Sequence, residues 1–129
     1  GGRVLRREVI PDERAQIVEV LEAWSDGDRL DLVLTTGGTG LAPRDVTPEA
    51  TRAVIDREAP GLAEAMRTAG LRKTRRAMLS RGVAGTRGRT LIVNLPGSAR
   101  AVRESLEAIL EVLPHGVETL RGEAGDCGG

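Results

Sequence analysis

The fold of this chain is decided by the stretch Leu32-Val33-Leu34-Thr35-Thr36-Gly37-Gly38-Thr39-Gly40. Its three leading apolar residues are typical of a short strand that is buried on both faces of a sheet. The glycines behind them permit positive φ angles and let a ligand approach the backbone, and successive N–H groups in such a loop can point at one phosphate. A tight turn that binds nothing is the alternative, but the position directly after a core strand favours anion binding.

Strand and helix patterns alternate on both sides of this stretch. The predicted elements are strands over residues 4–10, 83–86 and 90–95, helices over residues 15–24 and 61–69, a helix that opens at Thr47-Pro48, and a helix after Ser98 whose apolar stripe, Val102, Leu106, Ile109 and Leu113, is ended by Pro114. The alternation predicts an α/β fold with three layers, α/β/α, around a mostly parallel sheet. A turn at Arg87-Gly88 adds an antiparallel hairpin at one edge.

Three segments with unusual chemistry follow predicted strands. They are Pro11-Asp12-Glu13, the glycine loop over residues 35–40, and Asn94-Leu95-Pro96-Gly97-Ser98. Ligands of such sheets bind beyond the carboxyl ends of the strands. We therefore expect all three segments to lie on one rim of the sheet and to share one pocket.

Composition bounds the function classes. The chain has 129 residues, which suits one domain, predicted over residues 1–122 with a disordered tail over residues 123–129. Its 19 basic and 19 acidic residues cancel and Trp24 is its single aromatic residue, which argues against a nucleic-acid surface. No run is long and apolar enough to predict a membrane span. One cysteine, Cys127, cannot form an internal disulfide, so we expect a cytoplasmic protein.

The carboxylates near the glycine loop suggest a metal. Asp45 follows the loop closely, and a carboxylate beside phosphates is repelled unless a cation such as Mg²⁺ bridges them; capping of the next helix is the alternative. Asp12 reads first as a helix cap, and across the rim from Asp45 it gains a second reading as a metal or ligand contact. Asn94, Gly97 and Ser98 form either an anion site at a helix start or an ordinary strand-to-helix turn.

Three other features receive a weaker interpretation. His115 has no Cys or His cluster around it, and Ser80 has no visible partners for nucleophilic chemistry. The basic run over residues 72–76 is interpreted as a solvated face, with binding of a nucleotide's phosphates as the alternative.

Taken together, these residues resemble the Mog/MoaB molybdopterin-binding family, which includes the G domains of gephyrin and of the plant Cnx protein. The resemblance runs over residues 4–122. It is carried by Thr35-Thr36-Gly37-Gly38-Thr39-Gly40, Pro43-Arg44-Asp45-Val46-Thr47-Pro48-Glu49-Ala50-Thr51, Ile10-Pro11-Asp12-Glu13, Pro60-Gly61-Leu62, Ala77-Met78-Leu79-Ser80-Arg81 and Asn94-Leu95-Pro96-Gly97-Ser98.

The resemblance implies adenylyl transfer, in which Mg²⁺ and ATP are used to attach AMP to the terminal phosphate of molybdopterin. It implies that Asp12 and Asp45 are the key carboxylates at the metal and the pterin phosphate. Pterin and nucleotide would be bound by Thr35, Thr36, Gly37, Gly38, Thr39, Gly40, Ser80, Asn94, Pro96, Gly97 and Ser98. The alternatives are a MoaB-like molybdopterin-binding protein or scaffold without significant turnover, and a generic nucleotide binder.

The resemblance also implies a homotrimer, less often a hexamer, that passes its product to a molybdate-inserting MoeA-type protein. Family members begin with a strand ending in a Ser-Asp-Arg-type motif and a helix, both ahead of the position of Val4. This chain shows neither, so we expect it to be part of a longer native chain.

Overall fold

The computed structural model describes residues 2–122. Its helices are α1 (Arg14–Glu22), α2 (Thr47–Val54), α3 (Pro60–Leu71), α4 (Ala99–Ile109) and α5 (Leu113–Leu120), with a π-helical turn at Ala23–Gly27 and a 3-10 turn at Arg75–Leu79. Its strands are β1 (Leu32–Thr36), β2 (Arg57–Glu58), β3 (Ala84–Arg87) and β4 (Thr90–Leu95). No helix within these residues is long and apolar enough to cross a membrane.

The sheet is mixed, with the strand order β1-β4-β3-β2. β1 runs parallel to β4, whereas β3 is antiparallel to both β4 and β2. The α/β class and the antiparallel hairpin are therefore confirmed. The hairpin strands β3 and β4 lie at the centre of the sheet and not at one edge, because β2 pairs with the outer side of β3, and among the described strands only β1 and β4 form a parallel pair. Because β1 and β4 are parallel neighbours, their carboxyl ends lie side by side, which is the arrangement that the predicted site requires.

Two apolar clusters cover the two faces of the sheet. Ile92 packs with residues of α1 and α2, whereas Leu91, Val93 and Leu95 pack with residues of α3, α4 and α5. This alternation along β4 follows from the pleat, which sends successive side chains to opposite faces. Helices on both faces confirm the three-layer architecture.

The predicted strand over residues 4–10 is wrong. The structure has no strand there, and the side chains of Val4, Leu5 and Val9 are 74%, 62% and 97% exposed. A strand needs a neighbour that accepts and donates its backbone hydrogen bonds, and residues 2–122 offer this segment none. Alternating apolar residues could not reveal that lack of a partner.

The prediction that β1 is buried on both faces is confirmed for one face only. Val33 is buried, but Leu34 on the opposite face is 38% exposed. The reason is that β1 is an edge strand of this sheet, so its outer residues are covered from fewer directions.

One helix boundary and one short strand also differ from the predictions. Leu113 and Pro114 do not end the helix after Ser98; they open α5, where proline suits the first turn because its missing N–H is not needed there. The short strand β2, between α2 and α3, was not predicted, because two exposed charged residues carry no strand pattern. The predicted tail over residues 123–129 lies outside the described residues.

Candidate functional site

The functional site is built where β1 and β4 end together. Thr35 pairs with Asn94 and Thr36 with Leu95, and the N–H of Gly37 donates to the Leu95 carbonyl at 3.0 Å. Beyond these pairs the two following loops nearly touch, since a Cβ added to Gly97 would lie 3.6 Å from the Gly37 Cα. Two of the three predicted segments therefore converge on one rim, here named the carboxyl rim.

Glycine is required at the centre of the loop. Gly37 and Gly38 have φ angles of 85° and 68°, in the left-handed region that favours glycine. A Cβ on Gly38 would lie 2.3 Å from the Thr47 Oγ1, while the Thr47 N–H donates to the Gly38 carbonyl at 3.2 Å. The loop thus packs its backbone against the start of α2, with the Thr47 side chain against Gly38 and only the backbone of Gly97 beside Gly37.

Asp45 folds back onto its own loop. Its Oδ2 accepts the Ala42 N–H at 3.0 Å and would lie 2.9 Å from a Cβ on Gly40. The side chain does not cap α2, because Val46 is the N-cap residue and no side-chain cap bond is formed there among the described residues. The capping alternative for Asp45 is therefore wrong.

The protein oxygens at this rim suit a cation that is bound mainly by the phosphates of a ligand. Within residues 2–122 no three His, Cys, Asp or Glu side chains group as a metal site, and the Oδ1 of Asp45 accepts no hydrogen bond there. Mg²⁺ commonly uses one or two carboxylates and takes its other oxygens from phosphates and water. Asp45 alone can meet that requirement.

The structure does not bring Asp12 into contact with Asp45. Asp12 is exposed, and it precedes Glu13, the N-cap residue of α1, where no side-chain cap bond forms in the described part of the chain. The interpretation of Asp12 as a helix cap is therefore wrong. Arg14 lies near enough to Glu49 to contribute to lowering its pKa, so the start of α1 faces the start of α2. A metal or ligand role for Asp12 stays a prediction.

Asn94 is a buried structural residue. Its side chain donates to the Thr35 and Thr51 hydroxyls at 3.0 and 2.9 Å and accepts the Val83 N–H at 3.1 Å. The amide thereby ties β4 to β1, α2 and the segment ahead of β3. Both of its N–H donors are already used by the protein, and a direct ligand contact by this side chain stays a prediction.

The remaining predicted residues lie around the same rim. Ser98 caps α4, with its Oγ accepting the Ala101 N–H at 3.1 Å. Ser80 and Pro96 line a cavity of about 200 Å³ between α3, the 3-10 turn and α4, together with Asn94 and Ala63, Met66, Arg67, Gly70, Thr74, Arg76, Ala77, Gly82, Ala101, Glu104 and Ser105. Pterin or nucleotide binding by these residues stays a prediction.

Sequence reasoning missed the role of Arg81. Its backbone N–H donates to the Thr39 carbonyl at 2.8 Å, its Nε to the Gly40 carbonyl at 2.8 Å and its Nη2 to the Asp45 carbonyl at 2.7 Å. Its Nη1 and Nη2 also donate to the carboxylate of Glu49. The hydrogen bond from Arg81 lowers the pKa of Glu49 below its ordinary value.

Comparisons with known proteins agree with this geometry. Residues 1–115 match the family described as a probable molybdopterin binding domain. A molybdopterin adenylyltransferase of Helicobacter pylori is 45% identical over 89% of this chain and 65% of its own length. The molybdenum cofactor synthesis protein cinnamon of Drosophila melanogaster is 47% identical over 87% of this chain and 19% of its own length. This chain thus spans less than two thirds of these relatives.

A solved structure leads to the same family. The crystal structure of the molybdopterin biosynthesis enzyme MoaB from Thermus thermophilus superimposes with a TM-score of 0.88 at 63% identity, covering 93% of this chain and 76% of that one. The chain therefore belongs to the molybdopterin-binding domain family of molybdenum cofactor biosynthesis.

Proposed function

We propose that this chain adenylylates molybdopterin, using ATP and Mg²⁺. The observation that carries the proposal is the bare backbone at the carboxyl rim, where Gly37 and Gly97 approach each other at the ends of two parallel strands. Such a surface suits phosphate groups, because N–H groups can reach them without a side chain in between. The H. pylori relative, named a molybdopterin adenylyltransferase, supports the same reaction class.

The chain's own contribution would be alignment and charge. The N-terminus of α4, behind Gly97 and the cap residue Ser98, carries partial positive charge that favours anions. Asp45 would hold Mg²⁺, which when bound neutralises phosphate charge. A terminal phosphate held at this rim would be oriented toward the α-phosphorus of ATP, and pyrophosphate would leave. Little covalent chemistry is required of the protein, so positioning accounts for most of the catalysis.

Asp45 provides the test. Asp45→Asn keeps an oxygen that can accept the Ala42 N–H but removes the charge, so we expect turnover to fall about 100-fold with a much smaller change in molybdopterin affinity. Turnover is measured by the formation of pyrophosphate and adenylylated pterin, and molybdopterin affinity is measured by equilibrium binding.

The matched control is Asp56→Asn. Asp56 also accepts a backbone N–H through Oδ2, from Gly88 at 2.7 Å, in the hairpin between β3 and β4. We expect this variant to keep its turnover. Equal losses in the two variants, or an Asp45→Asn variant with unchanged turnover, would count against the proposal.

A MoaB-like binding role is the second candidate, favoured by the likeness to the Thermus MoaB structure. It is distinguished by molybdopterin binding in the wild-type protein without pyrophosphate release. The homotrimer, the MoeA-type partner and the cytoplasmic location stay predictions.

A further inference from the structure

We propose that Arg81 is a positioning residue of this site, which holds the Asp45 loop (residues 40–45) so that the Asp45 carboxylate is fixed before any ligand arrives. This inference rests on the proposed function for its catalytic consequence. The holding of the loop is a property of the protein alone and can be tested separately.

The contacts of Arg81 converge on the two ends of the loop. The guanidinium donates to the carbonyl of Gly40, at the beginning, and to the carbonyl of Asp45, at the end. The backbone N–H of Arg81 fixes the preceding carbonyl, that of Thr39. One residue therefore sets the distance between the ends of the loop.

The loop has no comparable attachment elsewhere in the part of the chain that the structure describes. Its internal hydrogen bonds join Ala42 and Asp45, from the Ala42 N–H to the Asp45 Oδ2 and from the Asp45 N–H to the Ala42 carbonyl. Both bonds that lead from residues 40–45 to a residue outside the loop come from Arg81. The side chains of residues 41–44 are themselves exposed, so packing contributes little to holding the loop in place.

Arg81 is not itself suited to bind the substrate. All three of its guanidinium nitrogens donate to protein oxygens, and Glu49 balances its charge. The hydrogen bond with Glu49 is the main cause of the raised pKa of Arg81, and the charge of Asp45 contributes less. The ion pair orients the guanidinium toward the loop and uses the donors that a phosphate would need.

Amide hydrogen exchange of the free protein tests the holding of the loop. In Arg81→Ala we expect the Ala42 and Asp45 amides to exchange about tenfold faster or more, because their bonds then open with the unheld loop. Arg81→Lys keeps the charge but not the fork of donors, and should show a smaller increase. If either variant folds poorly, Glu49→Gln replaces it in the exchange experiment, because it leaves Arg81 in place but removes its ionic partner.

Arg87→Ala is the matched control. Arg87 donates to the Val54 carbonyl and pairs with Asp26, so it resembles Arg81 in its contacts but lies at the other end of β3. We expect no change in exchange at Ala42 and Asp45 in this variant. Unchanged exchange in Arg81→Ala, or equal acceleration in Arg87→Ala, overturns the proposal whether or not the protein turns over.

Steady-state kinetics test the catalytic consequence. In Arg81→Ala we expect kcat to fall about tenfold with little change in the KM for molybdopterin, because Arg81 positions Asp45 and does not contact the pterin. Accelerated exchange with unchanged kcat overturns the positioning role. If the wild-type protein shows no turnover, the proposed adenylyl transfer fails, and the exchange measurements alone then decide whether Arg81 holds the Asp45 loop.

Discussion

The two ends of the sheet use an arginine in the same way but differ in what surrounds it. At the carboxyl rim Arg81 contacts two carbonyls of the Asp45 loop and pairs with Glu49. At the opposite rim, where the β3–β4 hairpin turns, Arg87 contacts the Val54 carbonyl and pairs with Asp26. An arginine that joins carbonyls to an acid is therefore a device for holding loops in this fold, and is not by itself a sign of function.

The rims differ in what they leave open. At the hairpin rim Gly88 turns the chain, and its N–H is satisfied by Asp56. At the carboxyl rim two successive left-handed glycines lie against a third, Gly97, of the neighbouring loop, and one oxygen of Asp45 accepts no hydrogen bond from the described residues. A free carboxylate oxygen beside bare glycine backbone, and not the arginine, distinguishes the site.

The largest effect should come from substituting a glycine of the carboxyl rim. Gly38→Ala combines left-handed strain with a Cβ that would lie 2.3 Å from the Thr47 Oγ1, so we expect a loss of about 2 to 5 kcal/mol in the free energy of unfolding. Gly88→Ala carries strain alone, because nothing lies within 4 Å of its Cβ, and should lose about 1 to 2 kcal/mol. Urea unfolding of both variants measures the difference, and similar losses would show that Thr47 does not confine the loop.

The sequence predicted those parts of the site that depend on neighbours along the chain. Apolar residues followed by glycines in residues 32–40 indicated a strand and an anion-binding loop. The same reasoning placed Asn94 to Ser98 at and after the end of the strand over residues 90–95, and parallel pairing then brought both segments to one rim.

The parts that it did not predict depend on distant partners. Arg81 lies 41 residues from Gly40 and 32 from Glu49, and it carries no local pattern that indicates those contacts. Residues 4–10 alternate like a strand but lack a partner among residues 2–122. Local patterns propose elements, whereas pairing and side-chain bridges decide which of them form.

A smaller effect should follow from the two buried polar side chains of β4. Asn94→Ala removes three hydrogen bonds and leaves the buried Val83 N–H without its side-chain acceptor, so we expect a loss of about 2 to 3 kcal/mol. Thr90→Val, at the hairpin end, removes the single bond to the Leu30 carbonyl at 2.5 Å and should lose about 1 kcal/mol. Chemical denaturation checks both values.

The comparison depends on Asn94→Ala losing more free energy of unfolding than Thr90→Val. If Thr90→Val proves as costly as Asn94→Ala, the amide of Asn94 does not hold the carboxyl rim together.

The smallest expected effect is that of pH on stability, and it has the same sign at the two rims. Hydrogen bonds from Arg81 and Arg87 lower the pKa values of Glu49 and Asp26 below their ordinary values of 4.5 and 3.8. The folded state therefore favours the ionised acids, so each pair stabilises the protein fully above the ordinary pKa and loses that contribution as pH falls through the lowered one. Relative to Glu49→Gln or Asp26→Asn, the wild-type protein should be more stable at pH 7, by a small margin because both acids are exposed.

Unfolding free energies measured from pH 7 to pH 2 test this. The wild-type advantage over Glu49→Gln should begin to shrink below pH 4.5, and its advantage over Asp26→Asn should begin to shrink at the lower pH of 3.8. An advantage that grows as pH falls would mean that the ion pairs do not stabilise the folded state, and Arg81 would then hold the Asp45 loop through its carbonyl contacts alone.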